Sequence, residues 1–107
     1  MGGFAEALNT IAARVPEAQL LIIMATDGIP VQKLVLRPDP NLEAIAAEYT
    51  GLGNLHELTV VTDRMTALLV GITPEYFLFA ALGPGAVVGR ARFALRLAGM
   101  SLQPEFV

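Results

Sequence analysis

The stretch that most constrains the fold is Ala18–Ala25, whose sequence AQLLIIMA is apolar at almost every position. A strand with one face in water alternates apolar and polar residues, whereas a continuous apolar run of this length is typical of a strand buried on both faces. Its leucine and isoleucine content and the turn that follows also favour a strand. The sequence therefore predicts a strand that is central in its sheet and covered on both sides.

A hairpin is predicted directly after this strand, at Thr26-Asp27-Gly28. Asp-Gly between two apolar runs is a strong hairpin signal, because glycine accepts the positive φ that a two-residue turn demands. The second strand then covers residues 29–36. Pro30 cannot donate a ladder hydrogen bond, and Gln32 and Lys33 are polar, so we expect this strand at an edge of the sheet.

Helices are predicted at both ends of the chain. Near the start, apolar residues recur at spacings of three and four until Pro16 stops the pattern, and they are Phe4, Leu8, Ile11, Ala12 and Val15. Near the end, Gly83-Pro84-Gly85 breaks the chain before a helix over residues 86–100, which we expect to end near Gly99. The first of these helices is predicted to be short and amphipathic.

A shorter helix is predicted in the middle of the chain, with Asn41 as its N-cap and Gly51 and Gly53 beyond its end. Helical spacing places four larger side chains on one face: Leu42, Ile45, Ala46 and Tyr49. It places four others on the opposite face: Glu43, Ala44, Ala47 and Glu48. We interpret the second set as a partner surface, or equally as a solvated face whose alanines favour helix.

Three further strands are predicted over residues 57–62, 65–73 and 76–82, joined by turns at Asp63-Arg64 and Pro74-Glu75. Short connections of this kind join antiparallel neighbours. The element order is α-β-β-α-β-β-β-α, an α/β protein of the α+β type. With no repeat, linker or low-complexity segment, we expect a single domain over residues 1–107.

The composition excludes several classes of protein. The chain has no cysteine, which rules out disulfides and thiolate metal sites and favours the cytoplasm. Its net charge is −3 and its basic residues are scattered, unlike a nucleic-acid-binding face. Hydrophobic residues make up 54% of the sequence, more than a small monomer easily hides, so we expect self-association without membrane insertion.

Residues for catalysis are scarce. Ser101 is the only serine and His56 the only histidine, and neither lies in a nucleophile motif. The Gly83-Pro84-Gly85 segment lacks the lysine and hydroxyl residue of a phosphate-binding loop. We therefore predict no catalytic residue, no cofactor and no metal. A small ligand-sensing domain is a less favoured alternative, since Tyr49, Tyr76, His56 and Arg90 share no motif.

Arg90 has an unusual place in the last helix. Helical spacing puts it on the apolar side with Val87, Phe93, Ala94 and Leu97, whereas Arg92 and Arg96 fall on the opposite side, which we expect to be solvated. Its stem can lie along apolar surface while its guanidinium reaches water, or it can pair within an interface.

Three passages together resemble one known family: RVPEAQLLIIMATDGIPVQKLVLRPDPNLEAIAAEYT, LHELTVVTDRMTALLVGITPEYFLFAALGPGAVVGRARFALRLA and the tail LQPEF. They look like the bacterial free-standing members of the roadblock family, small domains named after a dynein light chain. The resemblance implies a five-stranded antiparallel sheet with the first and last helices on one face and the middle helix on the other. It also implies homodimers formed through the middle helix and the strand at residues 57–62, and regulation of Ras-like GTPases.

These implications give a candidate dimer or partner interface, whose residues are Glu43, Ala44, Ala47, Glu48, Leu58, Val60 and Arg90. One departure from the family is a middle helix several turns shorter than usual, either natural or the result of an altered chain. We predict a non-catalytic, dimeric binding module that regulates or scaffolds a prokaryotic Ras-like small GTPase. The alternative is a structural subunit of a larger assembly without a GTPase partner.

Overall fold

A computed structural model describes residues 3–50 and 56–106 of the 107-residue chain. These residues form three α-helices, five strands and a short 3₁₀ helix. Their order is α1 (Gly3–Arg14), β1 (Ala18–Ala25), β2 (Pro30–Val35), α2 (Pro40–Glu48), β3 (Glu57–Val61), β4 (Thr66–Thr73), β5 (Tyr76–Leu82), α3 (Val88–Leu102) and the 3₁₀ helix (Gln103–Phe106). The order confirms the prediction, and the strand bounds differ from it by a residue at most.

All five strands belong to one antiparallel sheet, in the order β2-β1-β5-β4-β3. β1 has a neighbour on each side, as its continuous apolar run predicts, and β2 lies at an edge, as its proline and polar residues predict. The other edge is β3. The connection that contains α2 therefore crosses from one edge of the sheet to the other.

Helices cover both faces of the sheet. On one face, α1 and α3 pack over a cluster that includes Leu8, Leu21 and Leu95. On the other face, Leu42 and Ala46 of α2 join a second cluster that contains Phe79. Alternate residues of β1 enter the two clusters, which explains why the strand is apolar throughout. The layering is the one that the roadblock resemblance implies.

The hairpin between β1 and β2 differs in detail from the prediction. The amide of Ala25 donates to the carbonyl of Ile29, so the loop has three residues rather than two. Only Gly28 has a positive φ, of 97°, and Asp27 Oδ1 accepts from the Ile29 amide at 3.1 Å. A single left-handed glycine at the end of the loop suits a three-residue connection, whereas a two-residue type I′ turn needs two positive φ values.

The N-cap of α2 is Asp39, so the prediction of Asn41 is wrong. Asp39 is extended, with φ −158°, and its Oδ1 accepts from the Asn41 amide at 3.0 Å. The helix begins at Pro40, where the lack of an N–H costs nothing because first-turn amides have no partner within the helix. The expected end at Gly51 and Gly53 lies outside the described residues.

The last helix is also displaced from its predicted bounds. It begins at Val88 rather than at residue 86, and it continues past Gly99 to Leu102. Gly99 is buried against β4: a Cβ added at this position would lie 3.7 Å from the carbonyl oxygen of Gly71. Leu102 is only 1% exposed. Burial of this last turn outweighs the roughly 1 kcal/mol conformational cost of an interior glycine.

Candidate interaction surface

The outer face of α2 consists of small and acidic side chains. Ala44, Ala47 and Glu48 are exposed, and Glu43 is half-buried. On the inner face Leu42 is 5% exposed and Ala46 is fully buried, while Ile45 and Tyr49 pack partly against the same cluster. The division of the helix into these two faces therefore follows the predicted 3.6-residue periodicity.

Glu43 ties the start of α2 to the edge of the sheet. Its Oε1 lies 2.6 Å from Lys33 Nζ on β2, and both side chains are nearly half exposed. A pair this open to water contributes little to stability. The contact nevertheless shows that the first turn of α2 lies beside β2, where the connection between the two edges of the sheet begins.

The edge strand β3 offers backbone groups as well as side chains. The Thr62 amide donates to the Met65 carbonyl, and the Gly71 amide donates to the His56 carbonyl. In an antiparallel ladder this pattern turns the even-numbered residues of β3 toward β4. The N–H and C=O groups of Glu57, Thr59 and Val61 therefore point away from the sheet, and no strand of the described residues pairs with them.

Leu58 and Val60 lie on the same side of the sheet as α2. Both are half-buried and pack against the cluster beneath that helix. The structure thus places four of the predicted residues on one outer helix face, Glu43, Ala44, Ala47 and Glu48, and Leu58 and Val60 on the same side of the sheet. This arrangement can bind another protein through a helix face and a strand edge, and it contains no constellation suited to bond-breaking chemistry.

Arg90 lies away from those six residues. It is exposed near the start of α3, which packs on the opposite face of the sheet. Its charge acts on Glu17, whose carboxylate also accepts a hydrogen bond from the Val87 amide at 3.2 Å. Hydrogen bonds from the Glu17 and Val87 amides, with the Arg90 charge, lower the pKa of Glu17 below its ordinary value. Its role at an interface stays a prediction.

The expected orientation of the other α3 side chains is wrong in two respects. Phe93 is 61% exposed and Leu97 38% exposed, so these two side chains face outward, while the buried residues of the helix include Leu95, Ala91, Ala94 and Ala98. Arg92 and Arg96 are not simply solvated, because they meet Glu57 of β3. Small side chains let α3 approach the sheet closely, and this favours burying alanine over phenylalanine.

Glu57 forms the contact between β3 and α3 that sequence analysis missed. Arg96 Nε and an Nη donate to its two carboxylate oxygens at 2.8 and 2.9 Å. Arg92 Nε lies 3.2 Å from Oε1 outside hydrogen-bonding geometry, and its Nη donates to Thr59 Oγ1 at 3.2 Å. The hydrogen bonds from Arg96 lower the pKa of Glu57 and raise that of Arg96. Nothing local in the sequence links residues 39 positions apart.

Other kinds of site find no support in the residues that the structure describes. His56 and Ser101 are both exposed; His56 directly precedes β3, and Ser101 lies near the end of α3. Within residues 3–50 and 56–106, no group of three or more metal-ligating side chains comes together. In the same ranges no helix has the length and apolar character needed to cross a membrane.

Comparison with known proteins adds information at the level of structure. No protein-family model matches the sequence, and no curated protein does either. Solved structures do match. MglC from Myxococcus xanthus is 23% identical with a TM-score of 0.73, and the match covers 96% of this chain and 98% of that one.

Two other solved structures give the same result. A Roadblock/LC7 domain from Streptomyces avermitilis is 17% identical with a TM-score of 0.76, over 92% of both chains. The gliding protein MglB from Thermus thermophilus is 14% identical with a TM-score of 0.79, over 95% of this chain and 87% of that one. The resemblance inferred from the sequence is thereby confirmed in three dimensions: this chain has the fold of the Roadblock/LC7 domains.

Proposed function

We propose that this protein is a non-catalytic binding module that forms a homodimer and regulates or scaffolds a Ras-like small GTPase in a prokaryotic cytoplasm. The observation that carries the proposal is the pairing of an exposed, small-residue face on α2 with an open strand edge at β3. Support also comes from the fold it shares with MglB, which is described as a gliding protein. The GTPase partner rests on the resemblance to the roadblock family.

The edge of β3 suits pairing with a second copy. Antiparallel pairing of two β3 strands around Thr59 would give partners to the outward N–H and C=O groups of Glu57, Thr59 and Val61. It would also cover Val61, which is 66% exposed. Arg92 and Arg96 already offset the charge of Glu57, so two such edges can meet without bare carboxylates facing each other.

The α2 face suits close approach of a partner. Ala44 and Ala47 are one turn apart and project little beyond the helix backbone, so another helix or a switch segment can lie against them. Glu43 and Glu48 flank this strip and supply negative charge at its borders. A larger or charged side chain at Ala47 would separate the two surfaces without disturbing the fold, because its Cβ points into solvent.

The test is light-scattering mass as a function of concentration, alone and with a Ras-like GTPase loaded with a GTP analogue or GDP. We expect a mass of at least two 11.3 kDa chains and a further gain with one nucleotide state only. Ala47→Glu and Val61→Glu should each reduce these masses. Ala5→Glu, on an exposed position of α1, is the matched control and should not.

Two results would contradict parts of the proposal. A chain that stays monomeric at every concentration is no dimeric module. A dimer that gains no mass with the GTPase in either nucleotide state is no regulator of it, and that result would favour the structural subunit instead.

A further inference from the structure

The outer side of the α1–α3 layer carries apolar side chains that the proposed function leaves unused. Phe93, Leu97 and Met100 are 61%, 38% and 68% exposed. Their spacings of four and three place them in one stripe along α3. Single exposed apolar residues are common on proteins, but three that are large and contiguous on one helix indicate a contact surface.

A groove between α1 and α3 runs beside this stripe and encloses about 300 Å³. Its walls come from Ala7, Thr10, Ile11 and Arg14 of α1 and from Ala94, Leu97, Ala98 and Ser101 of α3. Alanines line much of it, so the space between the helices stays open to side chains from outside. The stripe and the groove, which share Leu97, form one surface, here called the α1–α3 face.

Charge is distributed unevenly along the α1–α3 face. The two helices are antiparallel, since the ring of Phe4 near the start of α1 lies 5.1 Å from that of Phe106, just after α3. Arg14 at the end of α1 and Arg90 at the start of α3 therefore share one end of the face. Glu17 lies near Arg90 and offsets one of these charges, which leaves that end net positive.

The opposite end of the face is acidic. Glu6 lies in the first turn of α1, and the carboxylate of Glu105 lies beside Gly3. Both side chains are exposed. The face thus runs from cationic to anionic along its length, with apolar side chains between the two ends.

We propose that the α1–α3 face binds the α1–α3 face of a second copy of this chain. A two-fold axis that lies in the plane of the contact, at right angles to the two helices, would lay the cationic end of each copy on the anionic end of the other and bring the two apolar stripes together. Such an isologous contact needs a surface complementary to itself, and this polarity provides it. A partner of unrelated sequence would have to reproduce the same order of charges.

This contact is separate from the one proposed at α2 and β3, because α2 lies on the other side of the sheet. Neither contact blocks the other. A chain that uses both would form dimers of dimers, so its mass should rise with concentration from two chains to four. The expected assembly would also bury part of the apolar surface that the high hydrophobic content of the sequence leaves exposed.

The first experiment compares Phe93→Glu with Ile29→Glu by light scattering over a concentration series of the full chain. Ile29 lies before β2 and is 63% exposed, so the two variants place the same charge at equally open apolar sites. We expect Phe93→Glu to remove one doubling of mass and Ile29→Glu to behave as the wild type. Equal masses for Phe93→Glu and the wild type at every concentration would overturn the inference.

A second experiment tests that the occupant is another copy. Arg14→Glu makes both ends of the face acidic, and the double variant Glu6→Arg/Glu105→Arg makes both ends cationic. Each variant alone should associate roughly tenfold more weakly, because opposite charges become like charges at two symmetric places. An equal mixture of the two variants should recover association, since each then meets its complement.

The outcomes separate this inference from the proposed function. A wild type that reaches two chains and a Phe93→Glu variant that stays at one chain support the α1–α3 contact and contradict the dimer at α2 and β3. If Ala47→Glu lowers the mass and Phe93→Glu does not, the dimer at α2 and β3 is supported and the α1–α3 contact is contradicted. Failure of the mixed charge variants to recover association contradicts a self-complementary face. Circular dichroism confirms that each variant is folded.

Discussion

Truncation of Leu42 to alanine should loosen the attachment of α2 to the sheet. Leu42 is 5% exposed and, among the described side chains of α2, is the only large one that is buried. Ala46, one turn further on, buries little area, and Ile45 and Tyr49 are only partly covered. Leu42 is therefore the most completely buried of the large side chains that attach this helix to the sheet.

The expected cost follows from the area and the space left behind. Complete burial of a leucine side chain is worth about 1.5–3 kcal/mol relative to exposure. An unfilled cavity raises the cost of leucine-to-alanine changes to about 2–5 kcal/mol. Because a helix of nine residues at the surface can shift inward and fill part of the gap, we expect Leu42→Ala to lower the free energy of unfolding by about 2–3 kcal/mol.

Urea denaturation measures this cost. For a protein of this size the loss corresponds to a midpoint about 1–2 M lower, at an unchanged slope. Leu36→Ala is the matched control, since Leu36 is 45% exposed and its truncation should cost less than about 1 kcal/mol. If Leu42→Ala costs no more than Leu36→Ala, Leu42 does not anchor α2, and the description of that helix as docked is wrong.

Two further predictions concern backbone conformation and pH. Gly28→Ala should lower the free energy of unfolding, measured by heat or urea, by about 1–2 kcal/mol, because φ is 97° at Gly28 although an added Cβ would meet no close neighbour. The control is Gly89→Ala in the first turn of α3, where an added Cβ points into open space and the change should be neutral or stabilising. Equal effects of the two substitutions would refute the role of the positive φ. Glu57→Gln should destabilise the protein at pH 7 and do so less as the pH falls below 4.5, the ordinary pKa of the group. Folding lowers the pKa of Glu57, so its ionised carboxylate stabilises the folded state above pH 4.5, and this stabilisation is lost as the pH falls and the group is protonated. A difference in stability between Glu57→Gln and the wild type that stays constant with pH would contradict this prediction.

The positions of the helices and strands could be predicted because they depend on local patterns. β1 and its hairpin follow from a run of apolar residues and one glycine, and the two faces of α2 follow from a spacing of three and four. The choice between Asp39 and Asn41 as N-cap could not be made from residue type, since both are good caps. The N-cap is the residue whose side-chain oxygen can reach a free amide of the first turn, and that depends on the path of the backbone before the helix.

The orientation of α3 could not be predicted from hydrophobicity. Phe93 and Leu97 are more apolar than Ala91 and Ala98, yet the alanines are buried. The reason is close packing of α3 against the sheet, which larger side chains at the alanine positions would prevent. The ion pairs of Glu57 were hidden for a different reason: they join β3 to α3 across 39 residues, and a single sequence carries no record of such a contact.

The sheet order explains why the candidate surface lies where it does. With β2 and β3 at opposite edges, any connection between them must cross four strand spacings, about 19 Å, whereas the nine residues of α2 rise about 13.5 Å. The Lys33–Glu43 contact shows that the first turn of α2 lies beside β2, at the start of that crossing. In the proposed complex, the fold determines where a partner would meet α2 and β3, while Ala44, Ala47 and the edge of β3 would determine which partner fits. Changes to those side chains should alter binding and leave the fold intact, because fold and site are specified by different residues.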